Sequence, residues 1–271
     1  MIPLAGVIGC PISHSRSPRL HGHWLQTYGL PGHYVPLHVE TRDLEHVLRN
    51  MPQMGFVGAN VTIPHKEAVL HLADDISDTA GRIGAANTLT FRDGRILADN
   101  TDAYGFMANL RQAAPDWQPG GAALVLGAGG AARAVVDGLL QAGMDRIWLS
   151  NRSRDRAEVL ADTFGAKVKV LDWSNRAAAL PDIGLLVNTT SLGMSGQAPL
   201  DMPLSGLPRK TLVTDIVYVP LMTDLLVQAA ARGNQIVDGI GMLLHQAVPG
   251  FERWFGKTPE VTEALRRAVL A

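Results

Sequence analysis

The sequence predicts an α/β protein of two domains built on mostly parallel sheets, and three observations carry that expectation. Short apolar runs of strand length alternate with helix-period segments along nearly the whole chain, the pattern of successive βαβ units. Residues 122–126 (Ala-Ala-Leu-Val-Leu) are apolar throughout and stand directly before a glycine-rich turn, as a strand buried on both faces does. The 271 residues leave room for one large domain or two modest ones, and a segment rich in Pro and Gly at 112–121 marks a change of composition.

The elements follow in order. Residues 5–10 read as the first strand. Ser17 and Pro18 suit the N-cap and first position of the next helix, Leu20, Trp24, Leu25 and Tyr28 share one face, and Gly29 suits its end. Residues 33–39 form a second strand, Leu44, Val47, Leu48 and Met51 repeat at helical spacing, and 56–61 form a third strand. Asp93-Gly94 between Leu89-Thr90-Phe91 and Ile96-Leu97-Ala98 predicts a two-residue hairpin turn, whose positions both need positive φ. Later strands are expected at 146–150, 168–171, 184–187, 212–216 and 235–237, with helices between most of them and a helical stretch over 242–270. A domain boundary is expected within 101–110.

Composition excludes several classes. With 24 Lys and Arg against 25 Asp and Glu, the chain has no global field to gather nucleic acid or an anionic membrane. The stretches 20–39 and 183–200 lack Asp, Glu, Lys and Arg, but His and Pro interrupt the first and amides and hydroxyls the second, so neither spans a membrane. A single cysteine permits no internal disulfide, residues 1–15 lack the basic start of a secretory signal, and a cytoplasmic protein is expected. His21 and His23, two apart on a helix, point their rings in different directions, and no HExxH or Cys–His pattern exists, so no metal is expected. No Gly-x-Ser-x-Gly elbow or Walker loop is present, which removes the hydrolase and phosphoryl-transfer readings.

Three signals carry chemistry. Gly127-Ala128-Gly129-Gly130-Ala131-Ala132 follows the buried strand and opens a helix, the setting in which bare backbone N–H groups and the helix dipole receive a pyrophosphate. The next strand ends in Asn151-Arg152-Ser153-Arg154-Asp155-Arg156. An NAD site would put a carboxylate at that strand end for the ribose 2′-hydroxyl; three guanidinium forks suit a 2′-phosphate, so NADP is expected. Ser15, Ser17, Asn60, Thr62, Lys66, Asn87, Thr88, Asn100 and Asp102 all fall at strand ends or in the loops after them, where open α/β sheets place ligands. Such a set suits a small polyol acid. Lys66 is the best candidate to give or take the proton of an alcohol oxidation, with Asp102 to hold it or the substrate hydroxyl, and His14, His65 and His245 are expected as neighbours.

Taken with Asn188-Thr189-Thr190-Ser191-Leu192-Gly193-Met194, Asp215-Ile216-Val217-Tyr218 and Gly239-Ile240-Gly241-Met242 leading to His245-Gln246, these strings resemble the shikimate dehydrogenase family over nearly the whole chain. The resemblance implies NADP-dependent interconversion of 3-dehydroshikimate and shikimate in aromatic amino-acid biosynthesis. It implies Lys66 as acid/base paired with Asp102; Ser15 and Ser17, with Tyr218, on the substrate carboxylate; and Thr62, Asn87, Asp102 and Gln246 on the ring hydroxyls. Gly127, Ala128, Gly129, Gly130 and Ala131 would take the pyrophosphate; Asn151, Arg152, Ser153 and Arg156 the 2′-phosphate; and the backbone near Ile216 and Gly239 the nicotinamide. The implied domains are 1–103 for substrate and catalysis, 104–238 for NADP, and 239–271 as helices returning to the first, in a monomer or homodimer. A quinate/shikimate dehydrogenase of broader range and a catalytically silent NADP-binding sensor are the alternatives. Ser153 where the family often has Thr, and Val219 after the tyrosine, are departures from the pattern.

Overall fold

A computed structural model describes residues 2–271. Its elements are β1 (Leu4–Gly9), α1 (Ser17–Tyr28), β2 (His33–His38), α2 (Leu44–Asn50), β3 (Phe56–Val61), α3 (Ala68–Leu72), β4 (Asp75–Ile76), α4 (Asp78–Ile83), β5 (Thr88–Arg92), β6 (Arg95–Asp99) and α5 (Asp102–Ala113). There follow β7 (Ala122–Leu126), α6 (Gly130–Gln141), β8 (Arg146–Asn151), α7 (Arg154–Phe164), β9 (Val168–Asp172), β10 (Leu185–Asn188), β11 (Leu212–Asp215), α8 (Asp224–Ala231), β12 (Ile236–Val237), α9 (Ile240–Gln246), α10 (Val248–Phe255) and α11 (Glu263–Leu270). Phe106–Met242 forms one compact unit; the chain before it and Leu243–Ala271 form the other. No helix among the described residues is long and apolar enough to cross a membrane.

The first unit carries a six-stranded sheet in the order β2-β1-β3-β5-β6-β4. Pairs β1/β2, β1/β3 and β4/β6 are parallel, whereas β5 runs antiparallel to β3 and β6. The antiparallel member exists because Asp93 (φ 52) and Gly94 (φ 74) close the expected hairpin. One face packs on a core that includes Ile8, Leu44, Leu48, Met51, Ala59, Val69 and Leu89. On α1 the N-cap is Arg16, and Ser17 is the first helical residue, not the cap. Ser15 supplies the local acceptor instead, its Oγ taking the Ser17 N–H at 3.3 Å. The helical stretch expected over 242–270 is three helices, α9 and α10 parting at Ala247 and α10 ending at Gly256, whose φ of 72° suits a glycine terminus. These helices tie back to α1: Arg16 Nη1 donates to the Val269 carbonyl at 2.7 Å, and Trp24 Nε1 to the Glu260 carbonyl at 3.0 Å.

The second unit carries an all-parallel sheet in the order β12-β11-β10-β7-β8-β9. Its strands alternate between two cores. Ala123, Val125, Ile147, Leu149, Leu185 and Val187 pack on one face, while Leu124, Leu126, Leu186 and Val213 pack on the other. That explains why β7 reads as continuous apolar sequence. Chain order reverses between β7 and β10, the switch point at which open parallel sheets bind ligands.

Candidate active site

In the first unit, sheet register gathers the polar residues. Asn60 pairs with Thr88, and Thr88 with Asp99, so the end of β3, the start of β5 and the end of β6 stand side by side. The loops leaving β3 and β6 therefore share one edge with the segment entering β5. Lys66 lies on the first of these loops, its carbonyl accepting from Ala86 N at 2.8 Å, and Asp102 opens α5 just beyond the second.

Lys66 Nζ meets Asp102 Oδ2 at 2.5 Å, with side chains 21% and 9% exposed. Asp102 Oδ1 accepts from Asn87 Nδ2 at 2.8 Å, and the same amide donates to Gln246 Oε1 at 3.1 Å. The orientation of Asn87 is set from behind. Its Oδ1 takes Thr101 N at 2.8 Å, Thr101 Oγ1 at 3.1 Å and Thr88 Oγ1 at 3.0 Å, so its NH₂ must face Asp102. Deeper still, Asn60 Nδ2 donates to Thr88 Oγ1 at 3.2 Å, while Tyr34 Oη donates to Asn60 Oδ1 at 2.7 Å. His21 stacks on Tyr34 with ring centroids 3.9 Å apart, and burial pulls its pKa down to about 3, against a weaker opposing contact with Asn60. It stays neutral at physiological pH. Lys66, Asp102, Asn87 and Gln246 are thus joined directly. Two of Lys66's three protons and free lone pairs on Asp102 remain for a substrate.

Thr62 lies on the same loop, its N–H bonded to the Ile8 carbonyl at 2.9 Å, and its methyl so close to Gly9 that a Cβ built there would stand 2.6 Å from Thr62 Cγ2. Ser15 and Ser17 form a pair of their own after β1, the parallel neighbour of β3. The histidines expected nearby divide. His65 is fully buried and turned to the Val39 carbonyl (2.8 Å), so it is structural; His14 is exposed; and burial lowers the pKa of the half-buried His245.

In the second unit, Gly127 takes a φ of +108°, and a Cβ there would lie 2.5 Å from Thr189 Oγ1. No other residue type fits. Gly129 is the N-cap of α6 without a side-chain capping bond, and a Cβ on Gly129 or Gly130 would meet nothing within 4 Å. The helix entrance, with half-buried Ala128 and Ala131 beside it, therefore offers bare N–H groups to open space, which fits a dinucleotide pyrophosphate. At the end of β8, Asn151 Nδ2 donates to the Ser153 carbonyl at 2.8 Å, and Arg152, Ser153 and Arg156 are exposed. Arg154 departs from the reading of three available guanidiniums. It pairs with Glu158 (2.7 Å) and with Asp172, which stands opposite Asn151 on β9. Ile216 and Gly239 meet, since a Cβ on Gly239 would collide with the Ile216 carbonyl; Tyr218 lies two residues on, half-buried.

Sequence reasoning passed over Tyr34 and Thr223, and gave Thr101, Asn188 and Asp215, which stand in the strings that carry the resemblance, no role of their own. Thr101 was within reach, since it flanks Asp102. Tyr34 was not, because it enters the network only through the order β2-β1-β3.

Comparison with known proteins adds the chemistry of relatives. Residues 7–89 match the family model of the shikimate dehydrogenase substrate binding domain, residues 112–194 that of shikimate / quinate 5-dehydrogenase, and residues 239–270 that of the shikimate 5′-dehydrogenase C-terminal domain. The chain is 63% identical to the shikimate dehydrogenase (NADP(+)) of Paracoccus denitrificans strain Pd 1222, over 99% of this chain and 96% of that one. The solved structure of shikimate 5-dehydrogenase from Thermus thermophilus in complex with NADP(H) and shikimate is similar at a TM-score of 0.88 and 37% identity, covering 99% of this chain and 100% of that one. Quinate dehydrogenase from Corynebacterium glutamicum in complex with NAD is similar at a TM-score of 0.92 and 30% identity, covering 98% of each.

Proposed function

The chain belongs to the shikimate dehydrogenase family, and from that premise we propose that it is the NADP-dependent enzyme interconverting 3-dehydroshikimate and shikimate. The observation that carries the reading is the Lys66–Asp102 pair, a cation held at 2.5 Å by a carboxylate that Asn87 orients.

Reduction of the ketone needs a proton on oxygen as hydride reaches carbon. Lys66 supplies that proton from Nζ, and in the reverse direction takes the hydroxyl proton back. Asp102 keeps the ammonium aimed and accepts a hydrogen bond from a ring hydroxyl with a lone pair left over from Lys66 and Asn87. Asn87, Gln246 and Thr62 bind the remaining ring hydroxyls. Ser15 and Ser17 donate to the substrate carboxylate, helped by the α1 N-terminus behind them. When bound, NADP supplies or receives the hydride. Gly127 to Ala131 hold its pyrophosphate, and Asn151, Arg152, Ser153 and Arg156 its 2′-phosphate. Arg154, engaged by Glu158 and Asp172, is left out of that set. The lone Cys10 and near-zero net charge suit a cytoplasmic enzyme of small molecules.

Initial rates of NADPH formation at 340 nm test this, with shikimate and quinate each offered with NADP and NAD. A rate with shikimate and NADP alone is expected. Comparable rates with quinate or NAD would move the chain to the broader quinate/shikimate type. Binding of NADP without turnover of either substrate would sink the enzyme reading.

A further inference from the structure

The second unit buries a carboxylate that none of these roles employs. Asp215 ends β11 with no solvent exposure, and its partners are neutral. Oδ1 accepts from Val217 N and Asn188 Nδ2, each at 3.0 Å, and Oδ2 from Thr223 Oγ1 at 2.8 Å. Burial raises its pKa, and the three donors offset that only in part. A carboxyl group buried among neutral partners in this way calls for a reason beyond packing.

The reason lies in what the pair with Asn188 braces. Asn188 ends β10 in register with Asp215. Its Oδ1 accepts from Thr190 N at 3.0 Å and Thr190 Oγ1 at 2.7 Å, and its Nδ2 also reaches the Leu192 carbonyl at 3.2 Å. Thr190 Oγ1 in turn takes Leu192 N at 3.1 Å. On the other side, Asp215 fixes the start of the next loop through Val217 and its far end through Thr223. Backbone bonds tie the two loops again, Ile216 N to the Asn188 carbonyl at 3.0 Å and Ser195 N to the Val219 carbonyl at 2.8 Å. Gly239 closes against the Ile216 carbonyl.

These loops leave β10 and β11 at the same edge of the sheet as the glycine turn after β7. A dinucleotide spans the switch point with one half on each side. The glycine turn and Arg152 and Arg156 lie on the β7–β8 side, which assigns the adenosine half there and the other half to the loops after β10 and β11. We infer that Asn188 and Asp215 are positioning residues for the nicotinamide half of the cofactor, acting through the backbone of residues 189–195 and 216–219. The inference rests on the NADP reading above. A carboxylate suits the task because it only accepts, so Val217 N–H, the Asn188 amide and the Thr223 hydroxyl each have one direction to point.

The test titrates the full chain with NADP⁺ and, separately, with adenosine 2′,5′-bisphosphate, which carries the 2′-phosphate half without the nicotinamide. Asn188→Leu removes the junction of both loops, Thr223→Val removes one donor without changing shape, and Asp215→Asn keeps an acceptor toward Val217 and Asn188. Asn188→Leu is expected to weaken NADP⁺ about tenfold or more, and Thr223→Val several-fold, as buried hydrogen bonds of ordinary strength are lost. Asp215→Asn places an amide NH₂ where Oδ2 accepted from Thr223 and is expected to weaken NADP⁺ about threefold, less than Asn188→Leu, while the bisphosphate should bind all three variants as it binds the parent. Parallel weakening of both ligands would overturn the inference, as would unchanged NADP⁺ binding in a folded Asn188→Leu protein. If that variant does not fold, isosteric Thr223→Val decides by the same split. Failure of the unsubstituted chain to bind the bisphosphate would instead strike the NADP reading itself.

Discussion

Two aspartates, one in each unit, stand just beyond or at the ends of strands and do opposite things. Asp102 has a cation for a partner, keeps 9% of its side chain exposed, and retains lone pairs for a ligand. Asp215 has only neutral donors, no exposure, and three of its acceptor positions filled from the protein. In the roles proposed above, the first arrangement hands a proton on and the second holds shape. A carboxylate's use is therefore read from the charge and number of its donors, not from its burial.

The largest break of this comparison is Lys66→Ala. Loss of a positioned proton donor lowers rates by about 10²–10⁴, so kcat should fall in that range while the shikimate Kd, by calorimetry, moves little. Equal loss in both would make Lys66 an anchor instead. Arg152→Ala and Arg156→Ala come next. Each removes a charge-assisted hydrogen bond worth about 1.5–3 kcal/mol, so KM for NADP should rise about ten- to hundredfold. Arg154→Ala should leave that KM within about twofold, since its guanidinium already serves Glu158 and Asp172. Thr101→Val is smaller. It removes one of three donors holding the Asn87 carbonyl, a bond of about 1 kcal/mol, and should cost about fivefold in kcat/KM with NADP binding unchanged.

The smallest effect is in pH. Burial pushes the Asp99 carboxyl up, but the Ser77 hydroxyl and Arg253 guanidinium prevail and hold it below 3.8. A depressed value stabilises the folded state above pH 3.8, and that share disappears as the pH falls through the folded value. Asp215 runs the other way: its raised carboxyl favours the fold in acid, and that advantage is lost as the pH rises through its folded value. Arg253→Ala should therefore lower the melting temperature by about 2 °C at neutral pH, with the gap narrowing below pH 3.8. Asp215→Asn should gain on the parent as the pH rises. Thermal melts of the three proteins across pH would show two trends of opposite sign.

Much of this was legible in the chain because it is local. Asp93-Gly94, the apolar β7 and the glycine turn after it announce themselves within a few residues, and all three stand where the sequence places them. Residue chemistry also singled out Lys66 and Asp102. Their contact, however, depends on β5 lying between β3 and β6, which no local pattern encodes. Why Arg154, one of the three arginines after β8, is engaged elsewhere is not legible locally: its partner Asp172 is eighteen residues away, brought opposite by the pairing of β8 with β9. Asp215 stands in a string that carries the resemblance but showed no role of its own there, for a related reason. An aspartate surrounded by neutral donors differs from a surface aspartate only in what the fold brings to it.

The first unit is completed by Leu243–Ala271, with Arg16 of the loop between Ser15 and Ser17 bonded to the carbonyl of Val269. That bond joins residues 253 positions apart. On the ribosome, the segment bearing both serines emerges well before α11, so its bond to Val269 waits for that helix to be made. The intervening unit, continuous in sequence, can fold in the meantime. Synthesis thus orders assembly: the loops assigned to the cofactor can be complete while the serine loop still lacks its bond to Val269, and a chain interrupted before α11 lacks that carbonyl.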